Sequence, residues 1–169
     1  MKVLGTSCMA ALVMLLLVGC GEDTKLTVSS NPDQTFVNDV ALGGLAEVKL
    51  GELATKNGAS QEVKDFGAQM VTDHGKANSD LAALAGKKGW KIPTELDSSH
   101  QKDVDKFSKL SGADFDKDYV KDMVEDHEKD VKDVKDAIPK LKDADLKTWA
   151  QGALEVMEGH LKKIQAIKK

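Results

Sequence analysis

The sequence predicts an all-α domain, a four-helix bundle whose second and third long helices are joined by a long crossover carrying a short helix. Three observations predict it. Apolar residues recur in alternating steps of three and four along nearly the whole chain beyond residue 32, which is the period of a helix face and not of a strand. The three prolines, Pro32, Pro93 and Pro139, fall between periodic segments, where a fixed φ and a missing N–H suit a helix boundary. Four of the segments are long and one is short, an order that folds as two helical hairpins linked by one crossover.

The first helix is expected from about Asp33 to Lys56, ended by Asn57-Gly58, with Phe36, Val40, Gly43, Glu47, Leu50 and Ala54 on its inner stripe. Gly43-Gly44 costs helix propensity and permits a close helix approach. The second opens at Ser60, a good N-cap with Glu62 in the first turn, and runs to about Gly86. Its stripe is Val63, Phe66, Met70, His74, Ala77, Leu81 and Leu84. A break at Gly89 to Pro93 precedes the short helix, expected to be capped by Thr94, with Leu96, Val104, Phe107 and Leu110 inward and Ser111-Gly112 as its stop. The third long helix spans about Ala113 to Ile138, aligning Val120, Met123, His127, Val131 and Val134. Asp114, Asp116, Asp118 and Asp122 on its opening turns read as caps and dipole complements. The last helix starts near Asp143 and carries Leu146, Ala150, Ala153, Met157, His160, Ile164 and Ile167 in a four-three pattern.

The N-terminus speaks about compartment. Lys2 and the apolar run Met9 to Val18 have the form of a signal peptide, and the run is too short to span a membrane, which takes about 20 apolar residues. It ends in Leu17-Val18-Gly19-Cys20, which resembles a bacterial lipobox. The expected organisation is therefore a leader at 1–19, lipidated Cys20 with a tether through residue 32, and one bundle domain at 33–169. Membrane contact is expected through the lipid anchor. Gly21 and Glu22 in place of an aspartate after Cys20 favour the outer membrane, facing the periplasm. Cys8 lies in the leader, so no thiol is left for a disulfide or a Cys-based metal site.

Composition narrows the partners. The chain has 24 lysines, no arginine and 28 acidic residues, a net charge of −4 that becomes −5 once Lys2 is removed with the leader. Acid in excess argues against nucleic acid as a partner, and without arginine there is no bidentate fork for phosphate or carboxylate. There is no nucleophile elbow, Gly-rich phosphate loop or zincin motif.

The segments "GGLAEVKLGELA", "VKDFGAQMVTDHGKANSDL", "FDKDYVKDMVEDHEKDV" and "LKTWAQGALEVMEGHLKKI" resemble the domain-of-unknown-function family 4142 over about Asp33 to Ile167. The resemblance implies a ferritin-like bundle in the bacterial envelope and implies no reaction.

The most informative residues are polar ones on apolar stripes. Each long helix carries one: Glu47, His74, His127 and His160. Burying such groups costs roughly 1–3 kcal/mol each unless they are paired. A methionine precedes each histidine on the same face, Met70, Met123 and Met157, at spacings that put the two side chains on adjacent turns. Counting from the helix starts sets His74 and His127 level, Glu47 about one turn away, and His160 about 7 Å off. A di-iron bundle needs Glu-x-x-His on two helices and further glutamates, but Val71, Val124 and Met157 stand three before the histidines. Ferroxidase-type iron chemistry is accordingly not expected. Imidazole with thioether suits copper, and imidazole with carboxylate also suits zinc. Two functions are expected to compete. One is an anchored, non-catalytic structural, interaction or stress-related module whose histidines bond to nearby carboxylates. The other is a copper-, zinc- or iron-binding protein using Glu47, His74, His127 and His160 with Met70, Met123 and Met157.

Overall fold

The computed structural model describes residues 31–167. The expected leader, Cys20 and most of the expected tether lie outside them. Five α-helices are present: α1 (Pro32–Asn57), α2 (Gln61–Lys88), α3 (Ser98–Phe107), α4 (Gly112–Ala137) and α5 (Ala144–Ile167), with a 3₁₀ turn at Ile138–Lys140. Among the described residues there is no strand beyond an isolated bridge between Gly58 and Gly112, and no helix long and apolar enough to cross a membrane.

The caps explain most boundaries. Asn31 accepts from Asp33 N and Pro32 sits in the first turn, so both belong to α1 and not to the tether. Ser60 caps α2 by accepting from Val63 N. The helix runs two residues past the expected Gly86 and stops at Gly89, whose φ of 69° is left-handed, a conformation that glycine adopts without strain. The short helix is capped by Asp97, which takes Ser99 N and His100 N, and not by Thr94. Carboxylates rank among the best N-caps, and Pro93 keeps its neighbourhood extended.

α1 and α2 form one hairpin and α4 and α5 the other, with α1 beside α4 and α2 beside α5. α2 and α4 start at the same end of the bundle. There, Asp116 of α4 accepts from Ala59 N at 2.8 Å and Ser60 N at 2.7 Å, tying the α1–α2 turn to the start of α4. At the other end, buried Asp33 accepts from Lys142 N at 2.7 Å and Asp143 N at 3.0 Å. The crossover returns along the bundle, and α3 packs on α1 with Phe107 fully buried.

α1 and α2 approach most closely at Gly51 and Gly67. A Cβ on Gly67 would lie 2.6 Å from Ala54 Cβ. Gly44 likewise faces the Asn78 side chain of α2, whereas Gly43 does not face α2.

The core is in two apolar layers. One, near the α1–α2 turn, gathers Phe66, Met70, Phe107, Phe115, Tyr119, Met123 and Ile164. The other holds Phe36, Val37, Leu81, Val134, Leu141 and Leu146, with Trp90 of the crossover and Trp149 packed against it. The buried polar residues Glu47, His74, His127 and His160 come from the four long helices. They fall, in sequence along each helix, between residues of the two layers.

Candidate metal centre

The helical period dictates that α2, α4 and α5 each turn one histidine inward. His74 is 7 % exposed, His127 2 % and His160 1 %. Their rings form a triangle with centroids 6.1 Å apart for His74 and His127, 5.4 Å for His74 and His160, and 5.5 Å for His127 and His160. One ring nitrogen from each can be chosen so that all three lie within 4.8 Å of one another.

Hydrogen bonds orient two of the rings. His160 Nε2 donates to Asp73 Oδ2 at 2.8 Å, and Gln69 braces the same oxygen at 3.1 Å. His127 Nδ1 donates to the Met123 carbonyl at 3.0 Å. A ring that donates from one nitrogen carries its lone pair on the other. The nitrogens left over, His160 Nδ1, His127 Nε2 and His74 Nε2, are buried without a partner. An imidazole held by a carboxylate or carbonyl with its other nitrogen free is the arrangement that supports metal ligands.

All three rings are neutral at physiological pH. Burial, and then the charge that His160 and His127 would carry, pushes His74 down to about 3. Burial, then His160, pushes His127 down to about 4. Burial lowers His160 too, against the upward pull of Asp73. Neutral imidazoles need release no proton to take a metal.

Glu47 is also buried, 2 % exposed, with both oxygens unpartnered. It is not at the triangle's centre. Its Oε1 lies 3.7 Å from His127 Nδ1, the nitrogen already bonded to Met123, and so on the outer side of that ring. Burial and then the neighbouring Asp126, Asp130 and Asp122 raise its pKa well above the carboxylate range. With His127 pushed down and Glu47 pushed up, the two are neutral neighbours and not an ion pair. The buried, unpartnered Tyr119 hydroxyl also feels Glu47.

Several expectations change. His160 is a full member of the cluster and not a residue about 7 Å off its level. Residue counting failed because the chain continues beyond α4 through the 3₁₀ turn and an extended Leu141 before α5 begins. Glu47 moves out of the centre. Met70 and Met123 lie in one apolar layer and Met157 packs against the other. His100 of α3 stands apart from the cluster, half-buried, its Nδ1 2.8 Å from Asp97 Oδ1. Asp73 does hold a histidine, but it is His160 on α5 and not the adjacent His74.

Two grooves reach this centre. One, of about 630 Å³ between α2 and α5, is lined by His74, His160, Ala77, Trp149, Val156 and Met157 among others. The other, of about 720 Å³ along α1 and α4, is also lined by His74 and Met157.

Comparison with known proteins agrees with the fold. A DUF305 fragment from Deinococcus radiodurans superposes with a TM-score of 0.70 at 11 % identity, over 81 % of this chain and 95 % of that one. A DUF305 protein from Streptomyces coelicolor, described as secreted, gives 0.68 at 14 % identity, over 81 % and 91 %. No curated protein matches the chain. The domain of unknown function DUF4142 matches residues 21–167, most of the chain, and the chain belongs to that family.

Proposed function

We propose that the protein is a lipid-anchored component of the bacterial envelope whose bundle binds one transition-metal ion through His74, His127 and His160. The observation that carries this reading is the convergence of three buried imidazoles from three helices, each with one ring nitrogen left without a partner. Leaving such groups unsatisfied costs about 1–3 kcal/mol each, and one cation satisfies all three. Tetrahedral bonds near 2 Å put ligand nitrogens about 3.3 Å apart. The rings therefore close by at most about 1.5 Å on binding, a movement that small ring rotations supply.

Ligand type selects the ion. Three imidazoles without an inward carboxylate suit zinc or copper better than iron. Three protein ligands also leave a fourth position open for water or another donor. The lipobox-like Leu17-Val18-Gly19-Cys20 supports anchoring by the mature N-terminus.

The test is metal content. The purified chain, supplemented with zinc or copper and desalted, is expected to retain one ion per molecule, and the His74→Ala/His127→Ala variant none. Asp73→Asn is expected to weaken binding by about 10–100-fold, the usual cost of losing an outer partner. Sub-stoichiometric metal in supplemented wild type overturns the reading. Anchoring is tested separately by labelling with radioactive palmitate, which Cys20→Ser should abolish.

A further inference from the structure

The histidines are almost wholly buried, so an ion needs a way in. The groove along α1 and α4 is lined by six aspartates, Asp39, Asp97, Asp126, Asp130, Asp133 and Asp136, against two lysines, Lys129 and Lys140. His74, 7 % exposed and with its Nε2 unpartnered, is among its lining residues. Lys129 is already committed to Asp133 at 3.0 Å and Asp130 at 3.9 Å. Among the described residues, neither Asp39 nor Asp126 has an ion-pair partner within 4 Å. Over the floor of the groove, glycine at position 43 leaves room, and the Asp130 carboxylate lies 4.0 Å from where its Cβ would be.

An acidic groove alone is ordinary helix surface. Here a second feature stands behind it: Glu47, 2 % exposed, finds no donor for either oxygen, faces Asp126 and lies on the outer side of His127. A buried carboxyl without a donor, facing other carboxylates, is the environment a cation relieves. The groups around it respond alike. Burial and then Asp126 push Asp130 up to about 7, and burial raises Asp39, with Asp133 adding to it. The α2–α5 groove differs: Trp149, Val156, Met157 and Ala153 give it a larger apolar share, and its three aspartates, Asp73, Asp80 and Asp145, are already paired with His160, Lys76 and Lys88.

We propose that the α1–α4 groove is the path by which a divalent cation reaches the three histidines, with Asp130 and Asp126 holding it on the way. This inference rests on the metal reading above. A cleft lined by one sign of charge raises the local concentration of the opposite ion and its on-rate, by about 10–1,000-fold where it is walled by low dielectric.

Rapid mixing with cobalt(II) tests it, because its d–d absorbance reports arrival at nitrogen ligands. In the Asp130→Asn/Asp133→Asn variant, neither substitution changes a histidine or Asp73, and both remove like-charge crowding. At low salt, uptake is expected to slow about tenfold with one ion still bound at equilibrium. The difference should shrink at 0.5 M salt, roughly where screening shortens to a few ångströms. Asp39→Asn, on the opposite helix, should slow uptake in the same sense. Ala153→Trp, which fills the other groove, should leave the rate unchanged. An unchanged rate in both aspartate variants, or slowing by Ala153→Trp instead, overturns the path while leaving the histidine site standing. Wild type that binds no cobalt at equilibrium overturns the site and the path with it.

Discussion

Replacing Glu47 by glutamine isolates one proton in a polar layer where several oppose one another. In the metal-free protein between pH 5 and 6, an unfolded histidine is mostly charged, its ordinary pKa being 6.5, whereas His74 at about 3 and His127 at about 4 stay neutral when folded. Their depressed values give stability that is present above pH 6.5 and lost as the pH falls. The carboxyls work in the other direction. Asp130, at about 7, and Glu47, raised well above 4.5, keep protons in the fold that the unfolded chain has released. That stability is present at low pH and lost as the pH rises. Each proton of difference tilts stability by about 1.4 kcal/mol per pH unit. Two protons more on the unfolded chain and two more on the fold largely cancel, so wild type should be nearly flat here apart from what His160 adds. Glu47→Gln removes one of the fold's protons. Its stability should therefore fall on acidification from pH 6 to pH 5 by about 1.4 kcal/mol more than wild type's does. Urea melts at pH 5.0, 5.5 and 6.0 with chelator present measure this by linear extrapolation. Parallel slopes for the two proteins would refute the reasoning. They would mean that Glu47 is ionised in the fold and that its 3.7 Å approach to His127 is an ion pair after all.

Two further outcomes test the frame that holds this layer. Gly67→Ala should cost about 2–3 kcal/mol, a typical overpacking penalty, because its Cβ would meet Ala54 Cβ at 2.6 Å and Gly51 O at 2.8 Å. Denaturant titration measures that loss. Asp33→Ala removes both acceptors from Lys142 N and Asp143 N and should cost about 2 kcal/mol, visible as a melting temperature lower by roughly 5–10 °C.

The bundle was legible because its signals are local. Period, caps and prolines act within a few residues, so the four long helices emerge within two or three residues of their expected ends. Asp97 displaced Thr94 as the cap of α3 because the two candidates compete within one turn and pattern alone does not rank them. The inward faces of His74, His127, His160 and Glu47 were legible too, since a stripe depends only on 3.6 residues per turn.

Depth along the bundle axis was not legible in the same way. His74 and His127 lie on helices that start at one end, and counting from those starts set them level. His160 required counting through the 3₁₀ turn and the extended Leu141, where rise per residue changes, and Glu47 required knowing which side of the His127 ring it meets. Sequence by itself determined the helices, their apolar faces and the four polar residues turned inward, because those follow from short-range backbone geometry. Only the packing of the two hairpins decided that three imidazoles meet while the carboxyl stands behind one of them. That choice rests on helix offsets and side-chain directions accumulated over residues far apart in the chain.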